Sequence, residues 1–263
     1  MSAPPTSPLN IVLANSWVRA WHHADELPST NDEALARLAN LRDNQLPFLI
    51  LADRQIAGRG RGANRWWSAD GALTFSLILE PARWGLERAL WPRLSVAVGG
   101  AVTEAAARWL PGRLVQLKWP NDVYVDGRKL CGILVETSPR SPDRLVIGIG
   151  VNVGNSFAGA PPDVAPRAIS MIDIAKSSPS RFEVLGAILE CLDADLHQLA
   201  YAPQVLIDRW RRCCYLTGKS VAVTDVERVM SGACLGLEDD GSLLIQTEAG
   251  PQRCFAGVVN VVE

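Results

Sequence analysis

The sequence predicts an α+β protein in which strands and helices are interspersed up to residue 215 and a small all-β unit follows. Two observations support this class. Short apolar runs alternate with segments of helical period as far as Cys213. From residue 219 to the end, only short apolar runs separated by turn signals remain, and no helical period survives. Apolar residues make up 48% of the 263 residues, so a core of this size can be buried.

The secondary structure of the first half is predicted from the spacing of apolar residues and from the residues that form turns and helix caps. Apolar runs bounded by turn residues predict strands over residues 17–23, 48–52, 73–79 and 115–118. Thr30 and Glu33 have the spacing of a capping box, which predicts a helix from Thr30 to about Leu41. Small and apolar residues at helical spacing predict a second helix over residues 87–110.

The second half adds a hairpin, a strand and two helices. Asp126-Gly127 predicts a tight turn between strands at residues 123–125 and 130–136, and a further strand is expected over 145–153. Ser180 and Glu183 form a second capping box, so a helix should run from there to about residue 200. Another helix is expected over 203–213. The expected organisation is a disordered segment (1–16), a ligand-binding catalytic domain (17–215) and a β-barrel domain (216–263).

Composition excludes several classes of protein. The net charge of −2 gives no overall attraction to nucleic acid or to an anionic membrane. No apolar stretch is long enough to span a bilayer, and the first ten residues lack the basic and apolar regions of a signal peptide. Six cysteines without a CxxC pair, together with only three histidines, lack the ligand spacing of a structural zinc site, so no metal site is predicted. We expect a cytoplasmic protein with reduced thiols.

A glycine-arginine loop is the first candidate binding segment. In Gly58-Arg59-Gly60-Arg61, glycines alternate with arginines. The glycines allow the backbone to bend sharply, and the planar guanidinium groups of the arginines can bind carboxylate or phosphate. The pattern is not a P-loop, because no Gly-Lys-Ser/Thr follows. A solvated turn is the alternative interpretation. Trp66 follows closely, and it could stack on a base or simply anchor the loop in the core.

A second cluster carries a lysine next to a hairpin turn. Lys118-Trp119-Pro120-Asn121-Asp122 precedes Lys129, which directly follows the predicted turn and could reach a phosphate as a point charge. The alternative is an exposed strand lysine. Asp122 could orient Lys129, coordinate Mg²⁺ through water, or cap the turn.

Two further segments have both structural and binding interpretations. Gly148, Gly150 and Asn152 alternate along a strand, so one face is bare and a flat ligand could lie there, with the Asn152 amide able to read an adenine edge. A bulge or close helix packing is the alternative. Ser29-Thr30-Asn31 could start a helix or cradle a neutral polar ligand.

Taken together, these segments resemble the biotin protein ligase family. The motifs that carry the resemblance are Ser29-Thr30-Asn31, Gln55 with Gly58-Arg59-Gly60-Arg61 and Trp66, Lys118-Trp119-Pro120-Asn121-Asp122, Arg128-Lys129-Leu130 with Gly132-Ile133-Leu134, and Gly148-Ile149-Gly150-Val151-Asn152. The resemblance implies a mixed β-sheet flanked by helices, of the kind found in class II aminoacyl-tRNA synthetases and biotin ligases, followed by an SH3-like barrel. Cys131 stands where the family usually has alanine.

The resemblance also implies residue roles. Ser29, Thr30 and Gln55 would bind the ureido ring of biotin, and the loop would close over biotin and its adenylate. Arg61 and Lys129 would contact the carboxylate and α-phosphate, and Asp122 could take a proton from the acceptor amine. Trp66 and Asn152 would frame the adenine, and the three glycines at 132, 148 and 150 would leave room for the biotin rings. The implied ligand-binding set is Ser29, Thr30, Asn31, Gln55, Gly58, Arg59, Gly60, Trp66, Lys118, Gly132, Gly148, Gly150 and Asn152.

The implied activity is an ATP-dependent biotin protein ligase that uses Mg²⁺. It would form biotinyl-5′-AMP and transfer biotin to a lysine of a biotin carboxyl carrier protein. Edge strands could pair with that carrier or with a second copy in a homodimer. Three alternatives remain. A lipoate or octanoate ligase should carry an Arg-Arg-x-Ser-Gly-Gly-Gly signature, which is not seen. A biotin-responsive repressor needs a helix-turn-helix, for which the sixteen residues before the first strand are too few. A non-catalytic binding module is the third.

Overall fold

The computed structural model describes residues 7–177, 179–225 and 228–262. These ranges contain five α-helices, twelve strands and several short 3₁₀ helices. The helices are α1 (Pro8–Ala14), α2 (Thr30–Arg37), α3 (Leu94–Ala107), α4 (Arg181–Tyr201) and α5 (Pro203–Cys213). The strands are β1 (Ala20–Leu27), β2 (Phe48–Gln55), β3 (Leu73–Leu79), β4 (Val115–Lys118), β5 (Asp122–Val125), β6 (Arg128–Ser138), β7 (Ser141–Val151), β8 (Ser220–Asp225), β9 (Arg228–Leu237), β10 (Leu243–Thr247), β11 (Gly250–Cys254) and β12 (Val258–Val261).

The larger sheet is mixed and has seven strands. Its order is β1-β2-β3-β7-β6-β5-β4. Strands β1 and β2 are parallel and are connected through α2, whereas the other neighbours are antiparallel. The α+β class, with a mixed sheet flanked by helices, is confirmed.

Helices cover the two faces of this sheet to different extents. Helices α3 and α4 pack with the apolar residues of one face, including Phe75, Ile133 and Ile149. The approach of α3 is close, because a Cβ on Gly99 would collide with the side chain of Leu117. On the other face, α2 packs over only one end of the sheet, on a small cluster that includes Ile50. Among the described residues, no helix covers the rest of that face.

The part of the face that α2 leaves uncovered has unusually small residues. Strand pairing places Thr74 beside Gly150, Gly150 beside Gly132, and Ser76 beside Gly148. Directly paired residues project to the same side of a sheet, so these five lie together. We call them the glycine floor. It begins at the N-terminus of α2 and ends toward β5.

The C-terminal sheet is antiparallel and has the order β11-β10-β9-β8-β12. Its five strands agree with the predicted small SH3-like unit. It is joined to the larger sheet by a buried hydrogen bond from Trp119 Nε1 to the carbonyl of Gly241, 2.9 Å long. Arg211 of α5 also donates to the carbonyl of Leu237. The division into units at residues 17–215 and 216–263 stays a prediction.

The N-terminal segment differs from its prediction. Disorder was expected over residues 1–16, but residues 8–14 form α1, capped by Ser7. The reason is tertiary packing, because Leu9 and Leu13 are buried where α1 meets α4. Residues 1–6 lie outside the described part of the chain. The first strand begins at Ala20 rather than at residue 17.

Local signals at helix ends were partly correct. The N-cap of α2 is Ser29, which accepts from the amide of Asp32, and not Thr30. Prediction of one helix over residues 87–110 was wrong at its start, where a 3₁₀ turn containing Pro92 precedes α3. The capping box of Ser180 and α4 is confirmed. The tight turn at residues 126–127 is also confirmed, with φ of 50° and 77°.

We expect Trp119→Phe to lower the free energy of unfolding by about 1–3 kcal/mol, because it removes the buried donor and leaves the Gly241 carbonyl without it. Urea unfolding measures the effect. Trp21→Phe, at a partly exposed position of β1, is the matched control. Equal stability of the Trp119 variant and wild type would contradict the proposed importance of this link.

Candidate active site

A ring of neutral polar groups surrounds the start of α2. Ser29, Thr30 and Asn31 are buried there. The Gln55 side chain reaches back from the end of β2, and its Oε1 accepts from the Thr30 amide at 2.7 Å and lies 3.1 Å from the Thr30 hydroxyl. The structure therefore brings together the three residues predicted to bind the ureido ring, which are Ser29, Thr30 and Gln55, and places Asn31 beside them.

Ser76 of the glycine floor completes this ring. Its hydroxyl lies 2.6 Å from Asn31 Oδ1 and 2.8 Å from Thr30 Oγ1. A hydroxyl has one proton and the Asn31 oxygen can only accept, so Ser76 donates to Asn31. The single proton of the Thr30 hydroxyl is then shared between two acceptors, Gln55 Oε1 and Ser76 Oγ. The side-chain amide of Asn31 then points to Glu136 Oε2, 2.7 Å away, and to the carbonyl of Leu134.

The glycine-arginine segment folds as a short hairpin above the floor. Gly58 accepts from the amide of Trp66, and Gly60 donates to the carbonyl of Asn64. The tip of the hairpin is therefore at residues 61–64. Gly58 is required by its surroundings, because a Cβ there would lie 2.5 Å from the carbonyl oxygen of Trp66. We refer to residues 58–66 as the loop hairpin.

Side chains of the protein itself lie on the floor. A Cβ on Gly150 would be 2.5 Å from Cε2 of Trp66, and one on Gly148 would collide with Asn31. Gly132 faces both the Trp66 ring and the end of Lys129. The bare strand face is therefore covered, in contrast to the expectation of an open surface. Trp66 Nε1 is a buried donor without an acceptor among the described residues, which leaves it available to a ligand.

The two arginines of the loop hairpin have different surroundings. Arg59 forms a two-point pair with Glu136, with distances of 3.0 Å and 2.6 Å, and its Nε lies 2.7 Å from Asp32 Oδ1. The hydrogen bonds that Arg59 donates to Glu136 raise the pKa of Arg59 above its ordinary value, despite partial burial. All of its guanidinium nitrogens thus face carboxylates of the same chain.

Arg61 points away from the floor. It lies at the tip of the loop hairpin, and its Nη1 donates to the carbonyl of Gly257 in the C-terminal sheet at 3.0 Å. It also lines a cleft of about 180 Å³ with Ser95, Asn121 and Phe255. Arg61 and Lys129 were expected to contact the same end of one ligand, but the Arg61 side chain, at the tip of the loop hairpin, bonds to the second sheet instead.

Lys129 and Asp122 form the charged end of the site. The Nζ of Lys129 lies 2.6 Å from Asp122 Oδ1, and Asp122 is paired with Gly132 across the sheet. Lys129 Nζ is also 6.0 Å from the centre of the Trp66 ring. Of the roles considered for Asp122, this geometry favours orientation of the lysine.

Lys118 extends the positive end. Its Nζ is 3.3 Å from the Tyr124 hydroxyl and 5.0 Å from the centre of that ring. Burial lowers the pKa of Lys118, and Asp122 only partly opposes this effect. Burial also raises the pKa of Tyr124, so its hydroxyl stays neutral. Tyr124 stacks on Tyr215, which in turn carries the ammonium of Lys219 over its ring.

Asn152 and Cys131 have internal contacts. The buried Asn152 amide donates to the carbonyl of Lys129 at 3.3 Å, and its oxygen accepts from Asn155. Asn152 therefore supports the backbone beneath Lys129. Cys131 is fully buried, and desolvation raises its pKa, so it is present as a neutral thiol.

Sequence reasoning missed several residues of this region. Ser76, Glu136 and Tyr124 were not predicted, nor was Lys219. Ser76 and Thr74 alternate within an otherwise apolar strand, a pattern that indicates a polar face and could have revealed them. A larger cleft of about 530 Å³ lies between α1 and α4, but the residues that line it include none of the predicted site.

Two negative observations apply to the described ranges. Within residues 7–177, 179–225 and 228–262, no group of three or more His, Cys, Asp or Glu side chains is arranged to hold a metal ion. In the same part of the chain, none of the helices combines the length and the apolar character needed to traverse a bilayer.

Comparisons with known proteins agree with this arrangement. Residues 24–152 match the biotin/lipoate A/B protein ligase family. The chain is 31% identical over 231 residues to the biotin–[acetyl-CoA-carboxylase] ligase of Mycobacterium tuberculosis, covering 86% of this chain and 84% of that protein. It is 30% identical over 233 residues to the bifunctional ligase/repressor BirA of Bacillus spizizenii, covering 84% of this chain and 69% of that protein.

Solved structures extend the similarity to the fold. The biotin protein ligase of Aquifex aeolicus, in complex with biotin and ATP, superposes with a TM-score of 0.80 at 28% identity, covering 93% of this chain and all of that one. The structural agreement extends over nearly the whole chain. This chain is a member of the biotin/lipoate A/B protein ligase family.

Proposed function

We propose that this protein is an ATP-dependent biotin protein ligase that forms biotinyl-5′-AMP and transfers biotin to a lysine of a biotin carboxyl carrier protein. One observation carries the proposal: a neutral hydrogen-bonding ring and a pair of lysines lie at opposite ends of one glycine floor, under a single loop hairpin. Biotin has the same polarity, with a neutral ureido ring at one end and a carboxylate at the other.

The neutral end fits the ureido group. Thr30, Gln55 and Asn31 provide hydroxyl and amide groups that can donate to a carbonyl or accept from an N–H. Their mutual hydrogen bonds hold them in fixed rotamers, so little conformational entropy is lost on binding. Ser29 contributes by capping α2 and thereby fixing the backbone on which this ring is built.

The charged end fits the first half-reaction. Biotin's carboxylate oxygen attacks the α-phosphorus of ATP, the bond to the bridging oxygen breaks, and pyrophosphate leaves with the electron pair. Both reactants are anions, so the barrier is mainly electrostatic and positional. Lys129, oriented by Asp122, provides positive charge next to the floor, and Lys118 adds to it at pH values below its lowered pKa. Trp66 and Asn152 remain proposed neighbours of the adenine.

The second half-reaction needs a neutral amine. The acceptor lysine of the carrier attacks the acyl carbon, an amide bond forms, and AMP leaves. A free lysine has a pKa of about 10.4, so a proton must be removed. Asp122 is the carboxylate next to the reacting end and is the proposed acceptor of that proton. Arg61, bonded to Gly257, acts in this scheme by tying the loop hairpin to the C-terminal sheet.

Mg²⁺ is proposed to bind together with ATP, and not at a separate metal site of the protein. Mg²⁺ commonly binds through one or two carboxylates together with substrate phosphates. Asp122 is the proposed carboxylate ligand. Among the described residues, no group of three or more His, Cys, Asp or Glu side chains is arranged to hold a metal ion. When bound, Mg²⁺ would neutralise phosphate charge.

Three further expectations stay proposals. The enzyme acts in the cytoplasm, it pairs with its carrier or with a second copy through sheet edges, and it works without nucleic acid. A gel shift at low salt tests the last point, because non-specific DNA binding is strongest there.

The test of the function is direct. Purified protein incubated with biotin, ATP and Mg²⁺ should yield biotinyl-5′-AMP by mass spectrometry, and a purified carrier domain should then gain one biotin. Lipoate in place of biotin is the competing substrate. Adenylation of lipoate in preference to biotin, or of neither, would contradict the proposal.

We expect Lys129→Ala to reduce pyrophosphate release by about 10²-fold or more, since it removes fixed charge that is needed in the transition state. Initial rates with saturating biotin and ATP measure this. Lys176→Ala, at an exposed position, serves as the control. A Lys129→Ala enzyme as fast as the control would refute the role.

The lowered pKa of Lys118 predicts a pH dependence. As the pH rises through that pKa, Lys118 loses its charge and affinity for ATP falls, so the KM for ATP should rise roughly tenfold in the alkaline range. Lys118→Arg should keep a flat KM, because a guanidinium stays charged. Superimposable profiles for the two enzymes would exclude Lys118 as the titrating contact.

A further inference from the structure

We propose that Glu136 is the positioning residue that couples closure of the loop hairpin to the polar ring at the start of α2. The inference rests on the proposed function, because it concerns the same site. Glu136 lies on β6, paired with Val146 of β7. It is on the same face of the sheet as Gly132 and lies beyond the glycine floor along β6. Glu136 acts through its hydrogen bonds with Arg59 of the loop hairpin and Asn31 of the polar ring.

The first half of the coupling is the contact to the loop hairpin. Both oxygens of Glu136 accept from the two terminal nitrogens of Arg59, at 3.0 Å and 2.6 Å. Such a two-point contact between ionised groups fixes both distance and orientation. This ion pair holds the loop hairpin on the larger sheet in addition to the packing of Trp66 on the floor, and Asp32 supports the same guanidinium from α2.

The second half is the contact to the polar ring. Oε2 of Glu136, which accepts from Arg59, also accepts from the Asn31 amide at 2.7 Å. Asn31 then bonds to Ser76, which contacts Thr30, which contacts Gln55. A single carboxylate oxygen therefore joins the loop to the groups that are proposed to recognise biotin.

A carboxylate suits this position for a simple reason. Arg59 and the Asn31 amide are both donors, so the group between them must accept only, and an ionised carboxylate does so. Glutamine would turn an NH₂ toward one of the two donors and would lose the charge. The Glu136 side chain is 22% exposed, so water only partly replaces a lost partner.

The consequence is a change in apparent affinity rather than in chemistry. If the loop hairpin closes less often, the apparent dissociation constant for biotin rises in inverse proportion to the closed fraction. Once biotin is bound and the loop is closed, Lys129 and Lys118 are unaffected. Glu136 should therefore influence the KM for biotin and have little effect on kcat.

The experiment compares Glu136→Gln, Arg59→Gln and the double variant. We expect Glu136→Gln to raise the KM for biotin in pyrophosphate release by about tenfold, with kcat at saturating biotin within about twofold of wild type. Arg59→Gln should also raise the KM for biotin, and the KM of the double variant should be no higher than that of the worse single variant, because both substitutions break the same contact. Asp143→Asn, which breaks the exposed pair with Arg88, is the control.

A second readout does not require activity. Trypsin cuts after Arg59, Arg61 and Arg65 within the loop hairpin. Arg61 and Arg65 are kept in every variant, so the rate of cleavage after these two residues in the free protein reports opening. Cleavage should be about tenfold faster in Glu136→Gln than in wild type or in Asp143→Asn. Should Glu136→Gln fail to fold, Arg59→Gln carries the same cleavage test without altering β6.

Several outcomes would overturn the inference. The first is a Glu136→Gln variant with unchanged KM for biotin and unchanged cleavage rate. The second is a variant whose kcat and thermal stability fall while its KM stays constant. The third is a double variant in which the effects of the two single substitutions on KM add independently. A wild-type enzyme that forms no biotinyl-5′-AMP would contradict the proposed function instead. In that case the cleavage rates still decide whether Glu136 holds the loop.

Discussion

The register of three antiparallel strands is the constraint on which the site depends. Pairing of β3, β7 and β6 brings Gly132, Gly148 and Gly150 together on one face. Side chains at Gly148 and Gly150 would occupy the space that Asn31 and Trp66 now fill. A shift of one residue would turn these glycines toward α3 and apolar side chains toward the site. The loop hairpin and the start of α2 can approach the sheet only because this floor is flat.

The floor separates two kinds of chemistry. At the α2 end, neutral groups bond mainly to one another, and at the β5 end, Lys129 is paired with Asp122 beside the buried Lys118. The Trp66 ring stands between them. In the proposed function, this polarity lets one elongated molecule with a neutral head and an anionic tail bind in a single orientation. The arginines of the loop hairpin then serve as anchors on either side, Arg59 on the larger sheet and Arg61 on the C-terminal sheet.

Local patterns in the sequence predicted much of the fold, and contacts between distant segments account for what they missed. The bounds of β3, β4 and α5 agree with their predictions, because apolar runs and prolines mark their ends. Helix α1 was missed because its stability comes from burial against α4 and not from local propensity. Thr30 was mistaken for the cap since its hydroxyl contacts Ser76, which is 46 residues away. Glu136 and the direction of Arg61 depend on strand register and on the second sheet, which no local pattern encodes.

The central claim is that the glycine floor, with the loop hairpin above it, holds biotin and ATP in one orientation. A crystal structure of the protein with biotin and a non-hydrolysable ATP analogue tests it most directly. The account predicts that the ureido ring contacts Thr30 and Gln55, and that the carboxylate and α-phosphate lie at Lys129. Ligands bound elsewhere, for example in the cleft between α1 and α4, with the floor still covered by Trp66 and Asn31 alone, would contradict it.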